Sequence, residues 1–182
     1  LEDIISNAQR VIPLSEQAII SLYDEKKGHL VTRRRLIPGQ KSHETTPIAI
    51  RPGEGITGRT FSTGEARLYA TSQEITEARA NLRAENLEQF LKTTRGRMPT
   101  STIAVPLKSA DRTLGCMMFH SFGQRAFTPH DLELAQAFAG HAAVAISNAA
   151  LYDDLQRRSK DLTSLVEASR IVTNSLDLDK VL

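Results

Sequence analysis

The chain has 182 residues, and its 23 lysines and arginines against 21 acids leave a formal net charge of only +2. That length fits one domain with a real core and something left over. The interspersed charge offers no basic patch that would demand nucleic acid or a membrane surface. A single cysteine, Cys116, excludes an internal disulfide and any zinc set of recognised spacing, which points to a reducing, cytoplasmic setting.

Leu1, Ile4, Ile5 and Ala8 form a helical stripe, so the spacing predicts a helix to about Val11, ending before Pro13. Ala18 to Tyr23 is apolar and reads as a strand. Asp24 to Gly28 is a turn, and His29 to Leu36 is a second strand that Pro38-Gly39-Gln40 should break. Arg33-Arg34-Arg35 reads as a solvated strand end, since no aromatic residues are interleaved with it. Ile48 to Ile50 is a short strand. Gly53, Gly55 and Gly58 then favour a tight turn into a short helix over Ile56 to Ser62, which Thr63-Gly64-Glu65 ends. That turn lacks the lysine of a triphosphate-binding loop. Ala66 to Ala70 is extended. Glu74 to Thr94 reads as one mostly helical, highly charged cover, closed by Gly96 and Pro99.

Thr102 to Leu107 is a strand, Ser109 to Arg112 a hairpin loop, and Thr113 to Ser121 the return strand. Strands joined by short turns are antiparallel. Ile103, Val105 and Leu107 make a bulky face, while Thr102, Ala104 and Pro106 make a face of smaller groups with room for a ligand.

Thr128-Pro129-His130-Asp131 is a helix start, with a hydroxyl cap, a proline at the first helical position and a carboxylate three residues past the cap. After Gly140 there is neither glycine nor proline to Leu182. A helix from Thr128 to Leu176 would reach about 70 Å at 1.5 Å per residue, so part of it is expected to leave the domain. Leu132, Ala135, Ala139, Ala142, Ile146 and Ala149 step by three and four, and Ala143, Ala145 and Ala150 fill other faces. Two apolar sides imply two neighbours: the sheet or first helix, and a second copy of the chain. Leu155, Leu162, Leu165, Val172 and Leu176 continue a heptad-like seam broken by Arg158 and Ser169, as in a marginal coiled coil. Asp177 reads as the cap of a fresh helix, and Leu178 to Leu182 echoes Leu1 to Ile5. No apolar run is expected to approach a membrane span, and no signal peptide is present. A chain that starts without methionine and stops mid-pattern reads as a piece of a longer protein.

With these residues in order, the chain resembles the GAF domain family of sensory modules from about Leu1 to Tyr152. The likeness rests on Gly53-Glu54-Gly55-Ile56-Thr57-Gly58-Arg59 and Thr63-Gly64-Glu65, on Ser101 to Leu107, on Leu114-Gly115, and on Phe127-Thr128-Pro129-His130-Asp131-Leu132. It implies an antiparallel sheet with helices on one side and a ligand pocket under loops on the other. It also implies a family whose members bind cyclic nucleotides, bilins, haem, amino acids or other small molecules, or nothing. Cyclic-nucleotide binders carry Asn-Lys-(x)n-Phe-x-x-x-Asp-Glu. Here Phe127 and Asp131 match, but His120-Ser121 stands near the Asn-Lys position and Leu132 replaces the final glutamate, which argues against a cyclic nucleotide. Cys116 lies in a strand, which argues against covalent bilin, and one cysteine is too few for the sulfoxide-reductase branch. A lone His120 without a supporting shell argues against haem.

The expected fold class is α+β: an antiparallel five- or six-stranded sheet, terminal helices on one face, loops and short helices over a pocket on the other, and a long C-terminal helix extending out. The expected divisions are a sensory domain at 1–150, a coiled-coil signalling helix at 151–176, and the start of a second such domain at 177–182. Candidate ligand-binding residues are Ile56, Phe61, Tyr69, Phe90, Thr102, Ala104, Met118 and His120. Leu132, Ala139, Ile146, Leu155, Leu162 and Leu165 are the candidate dimer-helix residues. No nucleophile elbow, metal cluster or nucleotide loop occurs, so no catalytic residues and no metal site are expected. The expected function is a ligand-sensing regulatory module, with a homodimer and an unidentified small molecule as partners, and neither nucleic acid nor direct membrane contact. The rival is a ligand-free dimerisation spacer whose pocket is filled by its own side chains.

Overall fold

The computed structural model describes residues 1–37, 48–110 and 112–178. The break expected at Pro38-Gly39-Gln40 lies outside them. Eleven elements follow in order: α1 (Glu2–Val11), β1 (Gln17–Asp24), β2 (His29–Leu36), β3 (Ala49–Ile50), α2 (Gly55–Thr63), β4 (Arg67–Tyr69), α3 (Ser72–Ala78), α4 (Ala84–Thr93), β5 (Ser101–Ser109), β6 (Arg112–Ser121) and α5 (Pro129–Leu178). The strands form one six-stranded sheet, order β3-β2-β1-β6-β5-β4, in which every neighbouring pair is antiparallel. This is the α+β class expected, with six strands and a long C-terminal helix.

The central strands are buried without alternation: Gln17 to Ser21, Ser101 to Val105 and Cys116 to Ser121 are all covered. A strand buried on both faces needs a layer on each side. On one face, Ile19, Ala104 and Met118 cluster with Ile56 of α2 and with Ile75 and Ala78 of α3. Their strand neighbours Ala18, Ile20, Ile103, Val105, Met117 and Phe119 point the other way and are fully buried. The terminal helices cover that second face, where α1 buries Ile5 and Ala8 and α5 buries Ala135, Ala139, Ala142 and Ala143. Each large apolar side chain sequestered there contributes roughly 1.5–3 kcal/mol.

Two of the glycines that geometry demands bound α2. Gly64 closes α2 at φ +64°, a left-handed cap. A Cβ on Gly58 would lie 2.2 Å from the carbonyl oxygen of Arg51, so the turn into α2 closes only around a bare backbone.

The cover is not a single helical stretch. It splits into α3 and α4 around Arg79 to Arg83, and it begins earlier than Glu74. Thr71 caps α3: its hydroxyl accepts from Glu74 N at 3.2 Å, and the Glu74 carboxylate accepts from Thr71 N at 3.3 Å. Thr71-x-x-Glu74 has the capping-box spacing, which an expected start at Glu74 passes over. Thr71→Ala is expected to cost about 1 kcal/mol, read by urea unfolding. A change below roughly 0.3 kcal/mol would mean that tertiary contacts alone hold α3.

The chain divides into two compact units, Leu1–Val144 and Ala145–Leu182. In the second, Leu151, Tyr152, Leu155, Leu162 and Leu165 are exposed. Helix α5 continues through Asp177 to Leu178, and residues 179–182, where the echo of the N-terminus falls, lie outside the described residues. One expectation needs correcting. The portion Pro129–Thr163 contains an 18-residue window of mean hydropathy 1.2 and is long and apolar enough to cross a membrane by length and composition. Alanine-rich core helices satisfy the same test, and the buried alanines of α5 fall within this portion.

Candidate functional site

A cavity of about 60 Å³ lies between the sheet and its glycine-turn cover. Ile19 and Ser21 of β1 and Thr32 and Arg35 of β2 form part of its floor, with Met118 and His120 of β6 beside them. Ile48 and Ile50 close one side. Ile56 and the turn before α2 roof it, together with Arg79, Leu82, Asn86 and Phe90 of the cover.

Of the eight predicted pocket residues, Ile56, Phe90, Met118 and His120 line this cavity, and the other four do not. Tyr69 and Ala104 are buried in the apolar cluster beneath α3, which closes that end of the face. Phe61 stacks on Tyr23, ring centroids 4.6 Å apart, and packs against Leu30, Ile50 and Cys116. Thr102 sits behind the wall, its Oγ1 2.9 Å from His120 Nδ1. The face parity was right, since Ala104 and Met118 both face the cover. The position along the sheet was not: the open space is over β1, β2 and β6, away from β4.

Four wall residues outside the predicted set carry a charge or an amide, beside the hydroxyls of Ser21, Thr32 and Thr57. Arg35 was read as solvated but is only 5% exposed. The cause is a β-bulge. Ile20 pairs with Arg34 and Ser21 with Thr32, so an irregularity at Arg33 turns Arg35 to the same face as Thr32. Its Nε has no hydrogen-bond partner. Arg79 lies with its guanidinium carbon 3.9 Å from the centroid of the Phe90 ring, and among the described residues its guanidinium donates to the Met98 sulfur at 3.9 Å. Burial pulls both arginines down to about 10, which leaves them charged at neutral pH.

Glu54 and Asn86 are the other two. Among the described residues Glu54 is the one acid in the wall, and its carboxylate is already occupied. It accepts from Arg51 N at 2.8 Å, Arg83 N at 3.0 Å, Arg83 Nε at 3.1 Å and Asn86 Nδ2 at 2.7 Å. Burial works to raise its pKa, but these hydrogen bonds outweigh burial and hold it below the ordinary value. Asn81 makes a parallel clasp, accepting from Gly55 N and donating to Gly53 O, both at 2.9 Å.

His120 is 2% exposed and edge-on to Phe90. Burial first, then the charges of Arg79 and Arg35, push it well below 6.5, so it is neutral in the fold. The unfolded chain therefore binds more protons below about pH 6.5, and stability that is complete above that pH falls as acid is added. Between pH 7 and 5.5 this group is expected to cost the domain about 1 kcal/mol, a loss that His120→Gln removes. Identical slopes for the two proteins in urea unfolding would contradict it.

The remaining motif residues are structural. Asp131 accepts from Thr128 N and from Thr128 Oγ1, both at 2.7 Å, so it caps α5 rather than facing a ligand. Cys116 is fully buried, and burial pushes its thiol up to about 12, far from a reactive value. Among the described residues no group of three or more His, Cys, Asp or Glu is placed to hold a metal ion. Of the candidate dimer positions, Ala139 is buried inside its own domain, Leu132 and Ile146 are half-buried, and Leu155, Leu162 and Leu165 are exposed.

A second cavity of about 170 Å³ lies near Gln17, Thr94 and Phe122. There Arg97 is paired with Glu16 at 3.4 Å and stacked over Phe122, and the exposed Arg95 also lines the space.

The family model described as GAF domain matches residues 1–147. No curated protein matches the chain. Among solved structures, the GAF domain of an Acinetobacter phosphoenolpyruvate-protein phosphotransferase is 15% identical, with a TM-score of 0.62 over 83% of this chain and 82% of that one. The second GAF domain of DevS from Mycobacterium smegmatis is 18% identical, with a TM-score of 0.62 over 85% and 95%. The GAF domain of a two-component sensor histidine kinase from Bacillus halodurans is 18% identical, with a TM-score of 0.61 over 84% and 97%. At such identities the structures speak to the fold alone. The family match covers most of the chain, and with the sheet and cover described above it assigns the protein: the chain belongs to the GAF domain family, regulatory and sensory modules of signalling proteins.

Proposed function

We propose that this domain senses a small ligand on behalf of a cytoplasmic signal-transduction protein, such as a sensor histidine kinase or a cyclic-di-GMP enzyme, and relays the state through helices paired between two copies. The observation that carries the sensing half is the cavity wall. A domain that only needed to fold would fill this space with apolar side chains, because buried charge is costly. Here the buried Arg35 and the half-buried Arg79 line it as charges, with the neutral His120 as a buried polar group beside them. The relay half is supported by Leu151, Leu155, Leu162 and Leu165, exposed at the four-and-three spacing of a heptad seam. Arg158 falls at the intervening seam position and is tied to Asp154 at 2.8 Å. Polar seam positions weaken a coiled coil and leave it easier to bias, as a switch requires. The domain acts as a regulator and not as a catalyst, a reading that the inert Cys116 thiol supports.

The second reading, a ligand-free spacer, is favoured by the small volume, since drug-sized ligands occupy about 300–1,000 Å³. One measurement separates the readings, and a second tests the relay. Ile56→Trp fills the cavity, and sensing predicts an altered output of the parent protein, whereas a spacer predicts none. For the relay, sedimentation of the wild-type chain is expected to show a dimer that Leu155→Asp with Leu162→Asp weakens roughly 100-fold, by burying two unpaired carboxylates per helix. A wild-type monomer would remove the relay.

A further inference from the structure

We propose that the cavity takes a short organic carboxylate, its carboxylate held by the Arg35 and Arg79 guanidiniums and its alkyl part lying on Ile19, Ile56 and Met118. This rests on the sensing reading and narrows its ligand class. The charge balance of the wall is the first reason. Two guanidiniums face the space, and the carboxylate of Glu54 is spent on Arg83, Asn86 and two backbone amides. His120 is neutral beside them and engaged with Thr102. Among the described residues the wall is therefore cationic, and a neutral or cationic guest would leave that charge uncompensated.

The second reason is an open donor. Arg35 is 95% buried by its 5% exposure, lines the cavity, and its Nε has no partner. A buried arginine donor without an acceptor is rare, and a planar two-oxygen anion matches the guanidinium fork. The rest of the wall disfavours a fully polar anion. A volume of about 60 Å³ holds only a small molecule, and the isoleucines and Met118 suit alkyl carbons better than the fully hydrated oxygens of inorganic phosphate.

The test uses the whole 182-residue chain and follows thermal unfolding. The probes are straight-chain monocarboxylates from formate to hexanoate, malonate and succinate, their neutral primary amides, inorganic phosphate, and chloride at matched ionic strength. The expected result is a concentration-dependent rise in melting temperature with one or more carboxylates, absent for the matching amides. Arg35→Met and Arg79→Met should each weaken the midpoint concentration at least tenfold, and Arg35→Lys should weaken it less. Two substitutions are used so that one failing to fold leaves the other to decide. A response to amides equal to that for carboxylates, or to phosphate in preference to them, overturns the carboxylate class while leaving sensing in place. A carboxylate response that survives both substitutions places binding elsewhere and overturns the proposal. No response to any probe overturns it too, and sensing itself falls only if Ile56→Trp also leaves the parent's output unchanged.

Discussion

Replacing Arg35 with methionine is expected to stabilise the domain by about 1–3 kcal/mol, although most changes at buried positions destabilise. The side chain is 5% exposed, and its Nε has no partner. Burial brings its pKa down to about 10, and among the described residues no acid is paired with it. A buried ion left in this condition carries a desolvation penalty of several kcal/mol after relaxation, and its removal returns part of that. Methionine retains the unbranched stem that lies between Ile19 on β1 and the cover, so the cavity opened is small. Urea unfolding should show a higher midpoint with an unchanged slope, and the melting temperature should rise by roughly 2–4 °C per kcal/mol. The same change is expected to abolish the response to carboxylates, which is the signature of a group kept for binding at the expense of stability. A loss of 1 kcal/mol or more would mean that Arg35 serves the fold, and the case for a ligand there would collapse.

The elements of the fold were legible because their signals are local. Alternation marked the hairpin of β5 and β6, Pro13 ended α1, and Thr128-Pro129 with Asp131 began α5 within a residue of its observed start. Face parity was legible as well, since Ala104 and Met118 turn toward the cover as their spacing required. The wall chemistry was not. Arg35 reaches the cavity only through the irregularity between Ile20 and Ser21, and nothing in Arg33-Arg34-Arg35 signals a bulge. Glu54 sits in a recognisable glycine turn, but the cation it meets is Arg83, 29 residues later. Arg79 and Asn86 come from the charged cover, whose composition reads as solvent-facing until the turn at Arg79 to Arg83 folds it inward. Charged groups that face inward through long-range contacts leave no periodic trace. Sites that break the local rules in this way are where function is expected to lie.

Glu54→Ala is expected to cost about 3 kcal/mol and to loosen the cover selectively. The carboxylate is 6% exposed and joins the turn before α2 to the first residues of α4. Arg83 precedes α4 without a side-chain cap of its own, so the Glu54 oxygen that accepts from Arg83 N also serves as the acceptor at that helix start. Removing it strands the Arg51 amide and deprives Asn86 Nδ2 of its shorter contact, leaving only Ala49 O at 2.9 Å. Each hydrogen bond to a charged group is worth roughly 1.5–3 kcal/mol. Arg83 can still reach water, being 32% exposed, so the penalty stays below the sum. The pH dependence follows from the depressed pKa of Glu54. Its contribution is complete above about 4.3, the unfolded value, and is lost as pH falls through the lower folded value. Glu54→Gln should remove that acid limb while retaining the shape, and should still destabilise, because its amide turns a donor toward donors. Hydrogen exchange supplies the spatial check. Amides of α4 should exchange faster in Glu54→Ala while those of β5 and β6 keep their protection. A cost under 1 kcal/mol, or uniform loss of protection across the sheet, would show that the cover is held by its apolar contacts and that Glu54 is incidental to the cavity beneath it.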